Sequence, residues 1–192
     1  IMYASQDAQG RPIAVTGTVL TPTAPWTGGG ERPVIGYAVG TQGAADRCAP
    51  SRTLSTGVQY EGVGITSLLS RGHAVVVTDY EGLGTPGAHT YMVREAQAHA
   101  VLDAVRAAAQ VSGSGVAATA PVALAGYSQG GGASAAAAEL ASEYAPELDL
   151  KGAYVGAPPA DLVQVADRID GGLYAAFLLY AMAGQLAAYD VD

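Results

Sequence analysis

The chain has one cysteine, one tryptophan, one phenylalanine and no asparagine. A lone thiol, Cys48, cannot close an internal disulfide, so a disulfide-framework protein and a cysteine-rich zinc site within this chain are both excluded. Positive charge is also scarce. Lys151 is the only lysine, and nine Lys and Arg face 17 Asp and Glu, for a formal charge of −8. No basic patch is visible, which argues against nucleic acid or an anionic membrane as the main partner. Charged residues of all kinds make up only 14% and hydrophobic ones 49% of 192 residues. That composition excludes a disordered polyelectrolyte and leaves room for one domain with a sizeable core. No repeat, phosphate loop, metal cluster or dinucleotide fingerprint stands out, so no cofactor and no metal site are expected. Gly82-x-Gly84 lacks a third glycine in place and reads as a turn. The chain starts at Ile1 without a basic-then-apolar leader, and reads as processed or trimmed.

What is present is an alternation of short apolar runs and helical patterns. Val15 to Thr21 alternates and ends in Pro22, Pro25 and Gly28-Gly29-Gly30. Pro33 to Val39 and Ala74 to Thr78 are apolar at nearly every position, as strands buried on both faces of a parallel sheet require. The latter half of Gly57 to Arg71 and all of Tyr91 to Val111 carry apolar residues near helical spacing. Val122 to Ala125 is a further strand, Ala133 to Tyr144 a helix, and Gly152 to Gly156 the next strand. Strand and helix in turn imply an α/β fold with a mostly parallel sheet and crossover helices. Gly171 to Tyr189 carries no charge. Its length raises a transmembrane reading, but Asp170 and Asp190 flank it and Gly184 and Gln185 dilute it. A buried helix pair, or a lid over an apolar pocket, fits better.

Chemistry concentrates at Gly126-Tyr127-Ser128-Gln129-Gly130, which follows a strand and precedes a helix. In that context a serine sits on a tight turn with its hydroxyl at the carboxyl edge of the sheet. The residues two before and two after must be small because their backbones come close. The helix starting there offers free N–H groups and a favourable dipole for negative charge, and the N–H of Gln129 would face the oxygen of a tetrahedral intermediate. Ser128 is therefore the candidate nucleophile. A second donor is expected from the loop after an earlier strand, Gly40-Thr41-Gln42-Gly43, with Gly40 and Thr41 the best placed.

A serine nucleophile needs a histidine base and an acid to orient it, in the chain order Ser, acid, His for this kind of fold. The three histidines, His73, His89 and His99, all precede Ser128. His73 begins a strand at the far edge of the sheet, and His99 sits within a helix. His89 lies in the loop Gly82 to Tyr91 and reads as a supporting residue rather than the base. Asp161 and Asp170 follow the serine, but no histidine follows them.

Four motifs in order carry a family resemblance. They are Gly40-Thr41-Gln42-Gly43 with Cys48-Ala49-Pro50-Ser51, then Asp79-Tyr80-Glu81-Gly82-Leu83-Gly84, then Gly126 to Gly131, then Tyr144-Ala145-Pro146-Glu147-Leu148. Together they resemble the secretory lipase family, the lipase A-type α/β-hydrolases of yeasts and actinobacteria, over roughly Val15 to Asp161. The resemblance implies an α/β-hydrolase fold and a secreted, extracellular triacylglycerol lipase or esterase with a helical cap. It implies Ser128 as nucleophile, the N–H groups of Gln129 and Gly40 as oxyanion donors, and Cys48 as half of a disulfide to the cap. Residues 1–170 would be the N-terminal part of the core and 171–192 the start of the cap. Leu173, Phe177, Leu178, Tyr180 and Met182 would cover the acyl chain. Family members continue past this point, and the strands bearing the catalytic Asp and His are expected in a further segment or a second chain of the same protein. Expected partners are that segment, a lipid or apolar ester substrate, and transient contact with a lipid interface. The competing readings are a cutinase-like polyester hydrolase, since Gly-Tyr-Ser-Gln-Gly also occurs in cutinases, and a non-catalytic binding protein of hydrolase shape, for which the missing histidine speaks.

Overall fold

The computed structural model describes residues 1–189. Asp190, the second flank of the uncharged segment, and the last residues of the expected 171–192 cap lie outside the described residues.

The sheet is built in two halves. β1 (Met2–Gln6) and β2 (Pro12–Leu20) form an antiparallel hairpin, and β2 pairs antiparallel with β4 (Ala74–Thr78). β4, β3 (Val34–Ala38), β5 (Val122–Tyr127) and β6 (Leu150–Gly156) then run parallel, giving the order β1-β2-β4-β3-β5-β6. The mostly parallel α/β sheet read from the sequence is therefore present. β4 is buried at every position and β3 at four of five, as their unbroken apolar runs require. β6 departs from that expectation. It is the outer strand of the described sheet and exposed over most of its length.

Helices cover both faces. α1 (Pro50–Ser55) and α2 (Gly62–Ser70) connect β3 to β4, and α3 (Arg94–Gln110) connects β4 back across β3 to β5. α4 (Gln129–Tyr144) connects β5 to β6. Right-handed crossovers in opposite directions along the sheet put the first pair on one face and α3 with α4 on the other. Neighbouring residues of β3 show the division. A Cβ at Gly36 would press 3.0 Å from Val105 of α3, whereas the Tyr37 hydroxyl reaches Gly64 of α2.

β1 escapes sequence inspection because one of its two inward residues is polar. Tyr3 and Ser5 are buried, and Ser5 Oγ donates to Asp103 Oδ2 of α3 at 2.8 Å. The same carboxylate accepts from the Tyr144 hydroxyl at 2.7 Å and from Arg106 Nη1 at 2.8 Å, tying the hairpin to α3 and α4. α3 begins at Arg94 rather than Tyr91, because Met92 adopts φ 61° and breaks the helical path.

Beyond β6, α5 (Leu162–Ile169) and α6 (Ala176–Tyr189) follow. Among the described residues no helix is long and apolar enough to cross a membrane. α6 is anchored by small residues: Gly184 lies against the backbone of Thr90 and Tyr91, and Ala188 packs with Val93 and Ala96 at the start of α3.

Candidate active site

β3 and β5 are adjacent parallel strands whose outgoing chains leave toward opposite faces of the sheet. Such a switch point opens a crevice at the carboxyl ends of the strands. The loop Gly40 to Gly43 and Ser128 both lie there.

Ser128 takes φ 57° and ψ −119°, a conformation that costs a residue with a side chain on the order of 1–3 kcal/mol. Its surroundings hold it there. The Ser128 N–H donates to Gly156 O of β6 at 2.9 Å, and its carbonyl accepts from Gly132 N–H at 3.0 Å. The flanking glycines are steric requirements. A Cβ at Gly126 would fall onto the carbonyl of Gly130, and one at Gly130 onto the carbonyl of Ala38. Ser128 itself is half-buried. Gln129 is the first residue of α4, so its N–H has no acceptor within the helix and stands at the positive end of the dipole.

The loop after β3 is arranged differently from the expectation at one residue. Gly40 N–H donates to Glu61 Oε1 at 2.7 Å. A backbone donor held by a carboxylate is not free for an oxyanion, so of the two candidates expected from that loop Thr41 remains. Glu61 stands at the entrance to α2, close to the serine turn. A Cβ at Gly40 would lie 2.5 Å from the Tyr60 hydroxyl, 3.0 Å from Glu61 Oε1 and 3.1 Å from the Tyr127 carbonyl. Burial, reinforced by the Glu61 carboxylate, pushes the Tyr37 hydroxyl well above the usual phenol range. The Tyr60 hydroxyl is raised in the same direction by partial burial and Glu61, although the Tyr60 residue as a whole is 59% exposed. Nothing in the sequence flagged Glu61 beyond its being a charge between a loop and an apolar helix. Thr41 Oγ1 is hydrogen-bonded to the Tyr91 hydroxyl at 2.7 Å.

His89 is buried beside the serine turn. Its Nδ1 lies 2.8 Å from the carbonyl of Glu81, which can only accept, so Nδ1 carries the proton. Nε2 then accepts from the Gln129 side-chain amide at 3.0 Å. Both ring nitrogens are engaged. Burial lowers the pKa to about 4, outweighing the contact with Glu81, so the ring is neutral. His99 stacks on Tyr144, ring centroids 4.1 Å apart, and His73 lies by Trp26 just before β4, at the opposite end of the strand from the crevice. None of the three is arranged to take a proton from Ser128.

The acids are structural where their partners are defined. Asp79 is fully buried. Its Oδ1 accepts from Ser51 N–H at 2.6 Å, and its Oδ2 from Ser51 Oγ at 2.5 Å and Thr16 Oγ1 at 2.7 Å. Asp161, exposed to solvent, caps α5, where hydrogen bonds from Gln164 and the Val163 amide hold its carboxyl below the usual range. Among the described residues no group of three His, Cys, Asp or Glu is arranged to hold a metal ion.

Of the residues expected to cover an acyl chain, Leu173 is 91% exposed and Met182 also projects outward. Leu178 is half-buried. Phe177 packs between Tyr174 and Tyr180, and Tyr180 meets Tyr91 edge-on at 6.0 Å. Cys48 is a free, half-buried thiol, its Sγ against Gly43.

A mostly parallel sheet, crossover helices on both faces and a serine on a glycine-flanked strand-to-helix turn define the α/β-hydrolase fold. The family model described as "Secretory lipase" matches residues 48–191, and the chain belongs to that family. It is 34% identical to "Probable inactive lipase MT1628" of Mycobacterium tuberculosis (strain CDC 1551 / Oshkosh), over 98% of this chain and 43% of that protein. It is 32% identical to "Lipase 10" of Candida albicans, over 98% and 41%. The X-ray structure of Candida antarctica lipase A in its closed state superposes with a TM-score of 0.84 at 28% identity, covering 98% of this chain and 44% of that one. The chain thus spans well under half the length of the curated relatives it matches.

Proposed function

We propose that this chain is the nucleophile-bearing part of a secreted serine ester hydrolase, a triacylglycerol lipase or carboxylesterase. The observation that carries the reading is Ser128 at φ 57° on its glycine-flanked turn, beside the first N–H of α4. Ser128 Oγ attacks the acyl carbon of an apolar ester while a histidine from the remainder of the protein removes its proton. The N–H groups of Gln129 and Thr41 stabilise the oxyanion. Collapse of the intermediate expels the alcohol, protonated by the same histidine, and leaves an acyl-enzyme that water hydrolyses. Residues 1–170 form the N-terminal part of the core, 171–192 begin a cap over the acyl chain, and Cys48 pairs with a cysteine beyond this chain. The apolar segment Gly171 to Tyr189 favours a lipase over an open-sited polyester hydrolase.

A second reading, a non-catalytic protein of the same fold, is favoured by the name of the Mycobacterium tuberculosis relative, a "probable inactive lipase". Fluorophosphonate labelling of the full-length protein decides between them. The ester hydrolase requires a label on Ser128 and loss of hydrolysis in Ser128→Ala. An unlabelled Ser128 in a folded full-length protein overturns it.

A further inference from the structure

Tyr91 touches the loop after β3, His89 and α6. Its hydroxyl is hydrogen-bonded to Thr41 Oγ1 in the loop after β3, at 2.7 Å. Its ring lies 5.9 Å from His89, edge to face, and His89 in turn holds the Gln129 side chain. Its other side receives α6. Tyr180 meets the ring edge-on at 6.0 Å, and the Tyr91 backbone is so close to Gly184 that a Cβ there would fall 2.5 Å from Tyr91 N. Tyr91 is 2% exposed, so these contacts are dry and geometrically defined.

We infer that Tyr91 is a positioning residue that couples the seating of α6 to the geometry of the oxyanion donors. The inference rests on the hydrolase reading above for its catalytic consequence, but the coupling is a property of the fold. Thr41 lies in a loop without regular structure, and its side chain has Tyr91 as its hydrogen-bond partner. Gln129 is held from the other side through His89. α6 buries few of its residues; Gly184, Ala188 and Tyr180 attach it to the start of α3 and to Tyr91, and the Gln9 side chain of the β1–β2 turn donates to Ala188 O at 3.1 Å. When α6 is seated, the Tyr91 ring is clamped and its hydroxyl fixes Thr41. When α6 lifts, the ring gains freedom and the Thr41 N–H loses its aim. Preorganised donors are worth most when they need no reorganisation during reaction, so the loss falls on kcat and leaves KM nearly unchanged.

The test uses the full-length protein with Tyr91→Phe, Thr41→Val, the double variant, and Tyr180→Leu to loosen α6. Hydrogen exchange of the 40–43 amides is read beside ester hydrolysis. Expected are a roughly tenfold or greater drop in kcat for each of the first two variants, and a double variant no worse than either alone, because both remove one link. Exchange at 40–43 should accelerate in Tyr91→Phe and Tyr180→Leu, with the amides of β5 in the sheet interior unchanged. Losses that multiply in the double variant, or 40–43 amides that exchange at the wild-type rate in Tyr91→Phe, overturn the coupling. Wild-type protein that neither hydrolyses esters nor takes a fluorophosphonate at Ser128 would sink the hydrolase reading instead, while the exchange data still decide the coupling.

Discussion

The Gln129 side chain donates its amide proton to His89 Nε2 across 3.0 Å, and this bond removes the histidine nearest the serine turn from service as a base. With Nδ1 donating to the Glu81 carbonyl, the ring is fixed as a neutral spacer between the loop after β4 and the start of α4. Removing a true general base costs on the order of a hundredfold to ten-thousandfold. His89→Gln in the full-length protein should keep its hydrolytic rate within about tenfold of wild type, measured under saturating substrate.

The same burial predicts an acid-labile fold. The folded-state pKa of His89 is lowered to about 4 from an ordinary value near 6.5. The unfolded chain therefore binds the extra proton first as pH falls. Stability from the neutral ring is complete above about pH 6.5 and is lost as pH drops toward 4, by up to about 3 kcal/mol. Urea unfolding across this range should show a shallower acid slope for His89→Gln than for wild type.

The glycines around Ser128 differ in what they tolerate. Gly130→Ala drives a Cβ into the Ala38 carbonyl, where only backbone can yield, and should cost about 3 kcal/mol or more. Gly132→Ala meets only the Pro159 ring, at 3.3 Å, inside a helix that alanine favours by about 1 kcal/mol. Its stability should stay within about 1 kcal/mol of wild type. Thermal unfolding of the two variants checks the contrast.

Asp79→Asn puts an NH2 group where Oδ2 accepts from two hydroxyls, so Ser51 Oγ and Thr16 Oγ1 must turn to accept from it and their own protons lose the carboxylate. Leaving a buried donor unmatched beside a lost charged bond should cost roughly 2–3 kcal/mol, and Ser51→Ala roughly 1 kcal/mol. Denaturant midpoints measure both.

Cys48 tests the proposed link to sequence beyond this chain. In the non-reduced full-length protein it should resist alkylation after unfolding and react once reduced. A peptide map would then locate its partner.

Local pattern was enough for β3, β4, β5, α4 and the serine turn, because each rests on short-range rules. Buried parallel strands need unbroken apolar runs, and a tight strand-to-helix turn needs glycine at both flanks. β1 was hidden because Ser5 is buried only by virtue of Asp103, 98 residues away. The true start of α3 was hidden because Met92 takes a left-handed conformation without being glycine. At the site, the position of Ser128, the candidate nucleophile, on its strand-to-helix turn follows from the sequence. Which amides remain free to act with it does not. Glu61 holds Gly40, Tyr91 holds Thr41 and Gln129 holds His89, each bond joining residues 21 to 50 positions apart. A one-dimensional pattern records which donors and acceptors exist. Folding decides which of them meet, because a buried polar group must find its partner wherever the packed chain brings one.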